Sequence, residues 1–251
     1  MRRPARTVTL GVLALSIPLV VRAQTVASRI ASVRDGTVRM NFDSRPGVCG
    51  DGEGNVWIID ARSGFSDTRH PCVPGPVRVA IGRSGGQTVS VRSRVGGVDS
   101  PAADLDLGNV PAADAARYLL ELAHTLGGRS SNQALSAAAF ADAPNVWPEF
   151  ARLVRDSGAM LDSRKEALFW LGQSDAPTAD LVHLYDDLEP EPLRDHATFV
   201  LSQRRDDAAV DKLIDIARHD RDLGVRKRAM FWLGQSRDPK AVKFFRDVLV
   251  R

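Results

Sequence analysis

Motifs that assign an enzyme class are absent from this sequence. The chain contains no phosphate-binding G-x-x-x-x-G-K-[ST] loop and no H-E-x-x-H zinc motif. It also contains no cysteine nucleophile with a plausible histidine partner. The sequence therefore predicts a protein without a catalytic centre, a metal ion or a cofactor.

Long hydrophobic runs are also missing, apart from one stretch near the N-terminus. Three arginines precede an apolar segment, residues 7–21, which is short for a membrane span and is interrupted by Pro18. Small residues follow, with cleavage expected after Ala23. We therefore predict a signal peptide over residues 1–23 and export to the periplasm or the extracellular space, rather than a single membrane anchor. The arginine pair at the start leaves the choice between the Sec and Tat routes open.

Cysteine is scarce, because the 251 residues include only Cys49 and Cys72. The alternative of a redox or metal pair has little support, since their spacing is far from C-x-x-C and no His/Cys cluster surrounds them. In an exported chain, two cysteines in one segment predict a structural disulfide. Closing a loop of about 23 residues would stabilise the folded state by about 3 kcal/mol in the chain-entropy model.

A strong net charge is absent once the signal peptide is removed. The remaining chain has 30 basic residues against 31 acidic ones, which gives no electrostatic support for nucleic-acid binding. The charge is nevertheless divided, with a net +4 over residues 24–98 and a net −5 over residues 99–251. Two interpretations follow: the two parts dock on each other, or Arg78, Arg92 and Arg94 on an outer strand face meet an anionic partner.

Alternation between apolar and polar residues predicts strands in the first part of the chain. Residues 38–42 and 77–95 alternate in this way, as half-buried strands do. The segment between them is rich in Gly, Pro and Asp, contains both cysteines and includes one short strand, residues 55–60. We predict a small antiparallel β domain over residues 24–98, pinned by the disulfide, followed by a linker over residues 99–110.

From residue 111 onward the hydrophobic period is that of helices, and one phrase is repeated. RKEALFWLGQS begins at Arg164 and returns as RKRAMFWLGQS at Arg226, with a degraded copy, RDHATFVLSQR, at Arg194. The spacings of about 30 and about 32 residues are typical of stacked helix pairs. Short turns separate the predicted helices, which span residues 111–126, 132–140, 147–156, 163–173, 177–188, 191–203, 208–219, 224–235 and 239–250.

The repeated phrase resembles the short bacterial type of HEAT repeat. The shared pattern is Arg-x-x-Ala-hydrophobic-x-x-Leu-Gly in each second helix, and the copy that begins at Arg194 has Ser202 in place of the glycine. The resemblance implies an α-solenoid of about four helix pairs over residues 111–251 and hence, with the β domain, an α+β protein in two parts. Some relatives with such repeats are di-iron hydroxylases that bind metal through His-Glu pairs. This sequence contains no His-Glu pair, which argues against that activity.

Aligned copies of the second helix place the same residue types in two columns. Phenylalanine occupies one column, and glutamine follows four residues later on the same helical face. Both columns face the expected concave wall, where solenoids bind extended peptides. The alternative is that the phenylalanine rings fill gaps between repeats while the glutamines bond to turn backbone. The candidate binding residues are Phe169, Phe199, Phe231, Gln173, Gln203 and Gln235.

Two further columns predict structural roles. We expect Trp170 and Trp232 to pack in the core, with each indole N–H bonded to a turn carbonyl. The arginines that open the repeated phrase lie where a cation is unfavourable to the helix dipole, which predicts a specific acidic partner. The expected salt bridges pair each arginine with an acid that precedes it: Arg164 with Asp162, and Arg226 with Asp222.

These features predict an exported, non-enzymatic scaffold that binds a protein or peptide of the cell envelope on the concave face of its repeats. We expect no membrane span after removal of the signal peptide, and the oligomeric state stays open. The alternative function is an enzyme or small-ligand-binding protein with its site between the β domain and the helices.

Overall fold

The computed structural model describes residues 25–58, 75–98 and 102–249. The predicted signal peptide and Cys72 lie outside these residues. In chain order, the elements are α1 (Val26–Ala31), β1 (Gly36–Phe42), β2 (Val48–Gly50), β3 (Val56–Ile58), β4 (Val77–Ser84), β5 (Gln87–Val95), β6 (Leu105–Asn109), α2 (Ala112–Thr125), α3 (Gly128–Phe140), α4 (Trp147–Arg155), α5 (Leu161–Gly172), α6 (Thr178–Asp186), α7 (Glu191–Ser202), α8 (Asp207–His219), α9 (Leu223–Gln235) and α10 (Pro239–Leu249).

Four strands form one mixed sheet in the order β5-β4-β1-β6. The strand β4 pairs antiparallel with both β1 and β5, in a register that places Met40 opposite Val79 and Arg78 opposite Arg94. The strand β6 runs parallel to β1. The architecture is therefore α+β, as predicted, but the expectation of a purely antiparallel sheet is wrong.

The strand β6 lies inside residues 99–110, which the sequence predicts to be a linker. Its five residues, LDLGN, include an aspartate and a glycine, so they carry little strand propensity. Contacts from β1 hold the segment in place: Thr37 N donates to Asp104 Oδ2 at 2.7 Å, and Arg39 pairs with Asp106 at 2.5 Å. Because these contacts join positions far apart in sequence, local pattern does not reveal the strand.

Two small elements accompany the sheet. The strands β2 and β3 pair antiparallel, with Cys49 opposite Trp57, and β3 lies within the short strand predicted between the cysteines. The helix α1 is not predicted from the sequence. The hydroxyl of Thr25 caps its N-terminus by accepting from Ser28 N, and Ile30 anchors it in the core.

The nine helices predicted after residue 110 all occur in the described part of the chain as α2 to α10, with ends that differ by four residues or fewer. The second helices of the pairs pack in succession, α3 on α5, α5 on α7 and α7 on α9. Among the first helices, α2 contacts α4, α6 contacts α8, and α8 contacts α10.

One cluster of buried side chains runs from the sheet into the helices. The helix α3 makes the junction by packing against β5 and β4. Val91 N donates to Ser130 Oγ at 3.4 Å, and Ser93 N donates to Gln133 Oε1 at 2.7 Å. The helix α3 also contacts the next second helix, since the buried hydroxyls of Ser131 on α3 and Ser163 on α5 lie 2.8 Å apart.

Candidate functional site

The three phenylalanines of the predicted ladder lie on α5, α7 and α9 in different surroundings. Phe169 and Phe199 are half-buried against the core, whereas Phe231 is 50% exposed. Phe169 packs against the Trp170 ring with 5.0 Å between ring centroids, and Phe231 packs against the Trp232 ring at 4.9 Å. Phe199 also contacts Trp232, at 5.3 Å. The exposed aromatic surface of this column is therefore greatest on the last repeat.

The glutamines of the second column lie at the C-terminal ends of the same helices. Gln173 and Gln203 are the C-cap residues of α5 and α7, and Gln235 is the last residue of α9. Gln173 is half-buried, whereas Gln203 and Gln235 are exposed. Gln203 Nε2 donates to Ser202 Oγ at 3.3 Å. The amide groups are thus presented at the ends of the helices rather than along their sides.

Two of these glutamines share a cavity, which we call the C-terminal groove. It has a volume of about 670 Å³ and lies between the C-terminal ends of α7 and α9 and the side of α8. Neither Gln173 nor the three phenylalanines line it. The lining residues are Ser202, Gln203, Arg204, Arg205, Val210, Leu213, Trp232, Leu233, Gln235, Ser236, Arg237 and Asp238.

The two repeated tryptophans differ in the hydrogen bonding of the indole N–H. Trp170 Nε1 donates to Glu166 Oε1 at 2.8 Å, one helical turn earlier. In α9 the corresponding position is Arg228, which pairs with Asp195 at 3.1 Å. Trp232 Nε1 is buried and has no hydrogen-bond partner. The expected bond to a turn carbonyl is therefore wrong for both residues, and Trp232, which is one of the residues lining the C-terminal groove, keeps an unused donor.

The predicted salt bridges of the repeated arginines are wrong for Arg164 with Asp162 and for Arg226 with Asp222. Arg164 Nε instead donates to the carbonyl of Val154 at 2.8 Å, and Arg226 donates to the carbonyl of Asp220 at 2.6 Å. These carbonyls lie at the end of the preceding helix or just after it, where acceptors have no intrahelical partner and the dipole is negative. Asp222 is used differently, since its side chain caps the N-terminus of α9.

In the middle repeat, the arginine that opens the repeated phrase, Arg194, forms a buried ion pair with Asp220. Arg194 Nε lies 3.0 Å from Asp220 Oδ2, with the two side chains 6% and 5% exposed. The hydroxyl of Tyr185 donates to the same oxygen at 2.5 Å, and Arg194 also donates to the carbonyl of Glu189. Burial alone would raise the pKa of Asp220, but hydrogen bonds from Tyr185, the Asp222 backbone and Arg194 lower it overall. Burial, followed by the Asp220 carboxylate, raises the pKa of Tyr185.

A second cavity, which we call the basic groove, lies on the outer face of the sheet beside α3. Its volume is about 710 Å³. The strands β1, β4 and β5 supply arginines that alternate with core residues, and the first turns of α3 form the opposite wall. The lining residues are Arg39, Asn41, Gly52, Glu53, Gly54, Arg78, Val79, Ala80, Val91, Arg92, Ser93, Arg94, Arg129 and Gln133.

The disulfide, metal-site and membrane-span predictions can be compared only with the residues that the structure describes. Cys49 is buried in β2, but Cys72 lies outside, so the disulfide stays a prediction. Within residues 25–58, 75–98 and 102–249, no group of three or more His, Cys, Asp and Glu side chains is placed to hold a metal ion. In the same part of the chain, no helix combines the length and apolar character needed to cross a bilayer.

Comparison with known proteins finds no family model, no curated protein and no solved structure that matches this chain. The resemblance to HEAT repeats and the function that it implies therefore stay predictions carried by the residues themselves.

The sequence identified part of each groove and missed the rest. It singled out Gln203 and Gln235, and also the arginines of β4 and β5. It missed the unpaired N–H of Trp232, although the change from Glu to Arg one turn before it is readable in the aligned repeats. It offered no signal for Arg129 and Gln133, because their place in the basic groove depends on the packing of α3 against β5.

Proposed function

We propose that this chain is an exported, non-enzymatic scaffold whose helix pairs form a short HEAT-like α-solenoid. In this proposal the C-terminal groove of the solenoid binds an extended acidic segment of a protein partner in the cell envelope. The successive packing of α3, α5, α7 and α9, which carry the repeated columns, supports the solenoid. The observation that carries the function is the unpaired, buried N–H of Trp232 beside Gln203 and Gln235.

The hydrogen-bonding groups of the C-terminal groove suit a peptide backbone. A buried donor without a partner is destabilising by about 1–3 kcal/mol, and a ligand carbonyl placed against Trp232 Nε1 removes that penalty. The amides of Gln203 and Gln235 each offer both a donor and an acceptor, as a peptide unit does. Val210 and Leu213 on α8 supply an apolar floor for a side chain. These groups match an extended segment rather than a folded surface.

The charge of the C-terminal groove favours acidic residues in that segment. Arg205 and Arg237 line the groove, and both are exposed without an ion pair among the described residues. Asp238 is the one acid among the described residues that line the groove, and its carboxylate accepts from the backbone N–H of Lys240 at 2.7 Å. The free charge in the groove is therefore positive, which attracts carboxylates.

Peptide display tests this proposal directly. A library of acidic and neutral octapeptides is selected on the mature wild-type chain and counter-selected on a variant with Trp232→Phe, Gln203→Ala and Gln235→Ala. We expect acidic peptides to be enriched and their dissociation constants, measured by fluorescence anisotropy, to rise about tenfold or more in the variant, since it loses several hydrogen bonds of about 1 kcal/mol each.

The matched control carries Trp170→Phe and Gln173→Ala, the same kinds of change at the corresponding positions of α5. Its peptide affinity should equal that of the wild type, because neither residue lines the C-terminal groove. Circular dichroism of both variants measures whether they keep the helix content of the wild type. Failure to enrich any peptide, or equal affinity for the wild type and the groove variant, would contradict the proposal.

A further inference from the structure

The outer face of the sheet concentrates arginine side chains around the basic groove. The residues that line the basic groove include five arginines and one acid, Glu53. In the sheet register, Arg78 of β4 lies directly opposite Arg94 of β5. Like charges directly opposite each other on neighbouring strands are destabilising.

Backbone carbonyls accept hydrogen bonds from both of the facing arginines. Arg78 donates to the carbonyls of Gly96 at 3.2 Å and Gly97 at 3.0 Å, and Arg94 donates to the carbonyl of Val98 at 3.0 Å. Such bonds restrict the direction in which a guanidinium group points. The loop that follows β5 therefore orients both cations on the face of the sheet.

The other end of the basic groove holds two cations that are available to a ligand. Arg92 on β5 and Arg129 on α3 are exposed, and neither has an acidic partner among the described residues. Gln133 lies between the ends, with its Oε1 accepting from both the N–H and the hydroxyl of Ser93, at 2.7 and 2.9 Å. Since its oxygen is occupied in this way, Gln133 contributes its amide N–H donors to the groove.

We propose that the basic groove binds a small molecule with two or more oxyanion groups, either phosphates or carboxylates. Arginine forks match both groups in bidentate geometry. Arg92 and Arg94 stand two residues apart on one strand face, about 7 Å between their Cα atoms, so a single oxyanion does not fill the site. The cavity volume, about 710 Å³, lies in the range of small-molecule sites. The groove also lies between the sheet and the helices, where the sequence placed its alternative ligand site.

Isothermal titration of the full mature chain with defined anions tests this proposal. Tripolyphosphate and citrate represent the two chemistries, while inorganic phosphate and acetate supply one oxyanion each. We expect saturable 1:1 binding of tripolyphosphate, of citrate or of both, and far weaker binding of the single-group anions. Arg92→Gln with Arg129→Gln should raise the dissociation constant about tenfold or more, because two charged hydrogen-bond donors are lost.

A control variant with Lys227→Gln and Arg246→Gln removes the same net charge from exposed positions on α9 and α10. Its affinity should stay unchanged, as should the binding of peptides to the C-terminal groove by the Arg92/Arg129 variant. Binding of tripolyphosphate alone assigns the site to phosphates, and binding of citrate alone assigns it to carboxylates. The proposal is overturned if neither tripolyphosphate nor citrate binds, or if the Arg92/Arg129 variant and the control variant lose affinity equally.

Discussion

The residue one turn before each repeated tryptophan decides whether its indole N–H is paired. In α5 this residue is Glu166, which accepts from Trp170; in α9 it is Arg228, which turns to Asp195 instead. A single replacement thus converts a satisfied N–H into a buried donor without a partner. Copies of the same phrase can therefore pair the indole N–H in one repeat and leave it unpaired in another.

The arginines that open the repeated phrase also have different partners in different repeats. The sequence predicts that a cation at the start of a helix needs a partner, and the structure supplies one each time. The partner is a carbonyl near the end of the preceding helix for Arg164 and Arg226, and the Asp220 carboxylate for Arg194. Only the fold decides between these acceptors, since the acids nearest in sequence, Asp162 and Asp222, are not the partners.

Asp220→Asn should lower the free energy of unfolding by about 3 kcal/mol at neutral pH, because Arg194 stays buried without its charged partner. The pKa of Asp220 is lowered in the folded state, so its contribution is fully present above the unfolded pKa of about 3.9. It is lost as the pH falls through the lower folded value. Urea unfolding at several pH values should show the difference between wild type and variant shrinking below about pH 4.

Asp215→Asn is the matched control on α8. Asp215 pairs with His219 at the surface, with side chains 56% and 69% exposed. Such an exposed pair contributes at most about 1 kcal/mol, so this variant should stay close to the wild type. Equal losses in the two variants, or a difference for Asp220→Asn that persists unchanged in acid, would contradict the buried role of Asp220.

At the scale of elements, strongly periodic segments are readable from the sequence and weakly periodic ones are not. The helices α2 to α10 follow an apolar period of 3.6 bounded by Asp, Gly or Pro, so their positions could be predicted. The short elements α1 and β6 could not. Burial of Ile30 holds the first, and pairing with β1 holds the second. Both elements depend on tertiary contacts more than on their own residues.

The glycine of the repeated phrase offers a test of how closely second helices approach. A Cβ atom on Gly172 would lie 2.4 Å from Cγ1 of Val200 on α7. Gly172→Ala should therefore lower the melting temperature, with a loss of about 1–3 kcal/mol from overpacking, since Val200 or the helix must shift. Differential scanning calorimetry measures the change.

Gly234→Ala supplies the comparison at the same position of the last repeat. A Cβ atom there would meet only Phe245, at 3.9 Å, which is an ordinary contact. Alanine should stabilise α9 by about 0.5–1 kcal/mol through its helix propensity. If the two alanine variants melted at the same temperature, close packing of α5 on α7 would not be the reason for the glycine.

At the scale of the whole molecule, the sheet and the helices share one apolar core. Residues of β1, β4 and β5 belong to the same buried cluster as residues of the helices, and α3 joins them through hydrogen bonds to β5. A shared core couples the stability of the parts that contact it. The β part and the helical part therefore differ in the periodicity of their sequence but share one core, and the two parts stabilise each other.

Met40→Ala tests this coupling, because the Met40 side chain is fully buried in β1. Its truncation should cost about 2–5 kcal/mol. Native-state hydrogen exchange should accelerate in α3 by a factor similar to that in β1, since α3 packs on the sheet. Val89→Ala, at a position that is 58% exposed on β5, should leave exchange nearly unchanged. Faster exchange in β1 with no change in α3 would show that the parts open independently.

The sequence by itself determined the elements whose pattern is local: nine helices, the repeat of the second helix, and three of the four strands of the sheet. Helix periodicity and strand alternation are local properties of the chain, so they can be read without knowing the fold. The tertiary structure alone decided the parallel pairing of β6, the packing of α3 on β5, the carbonyl partners of the arginines and the unpaired Trp232 N–H. Each of these joins residues from different elements, and packing of the whole core selects such contacts.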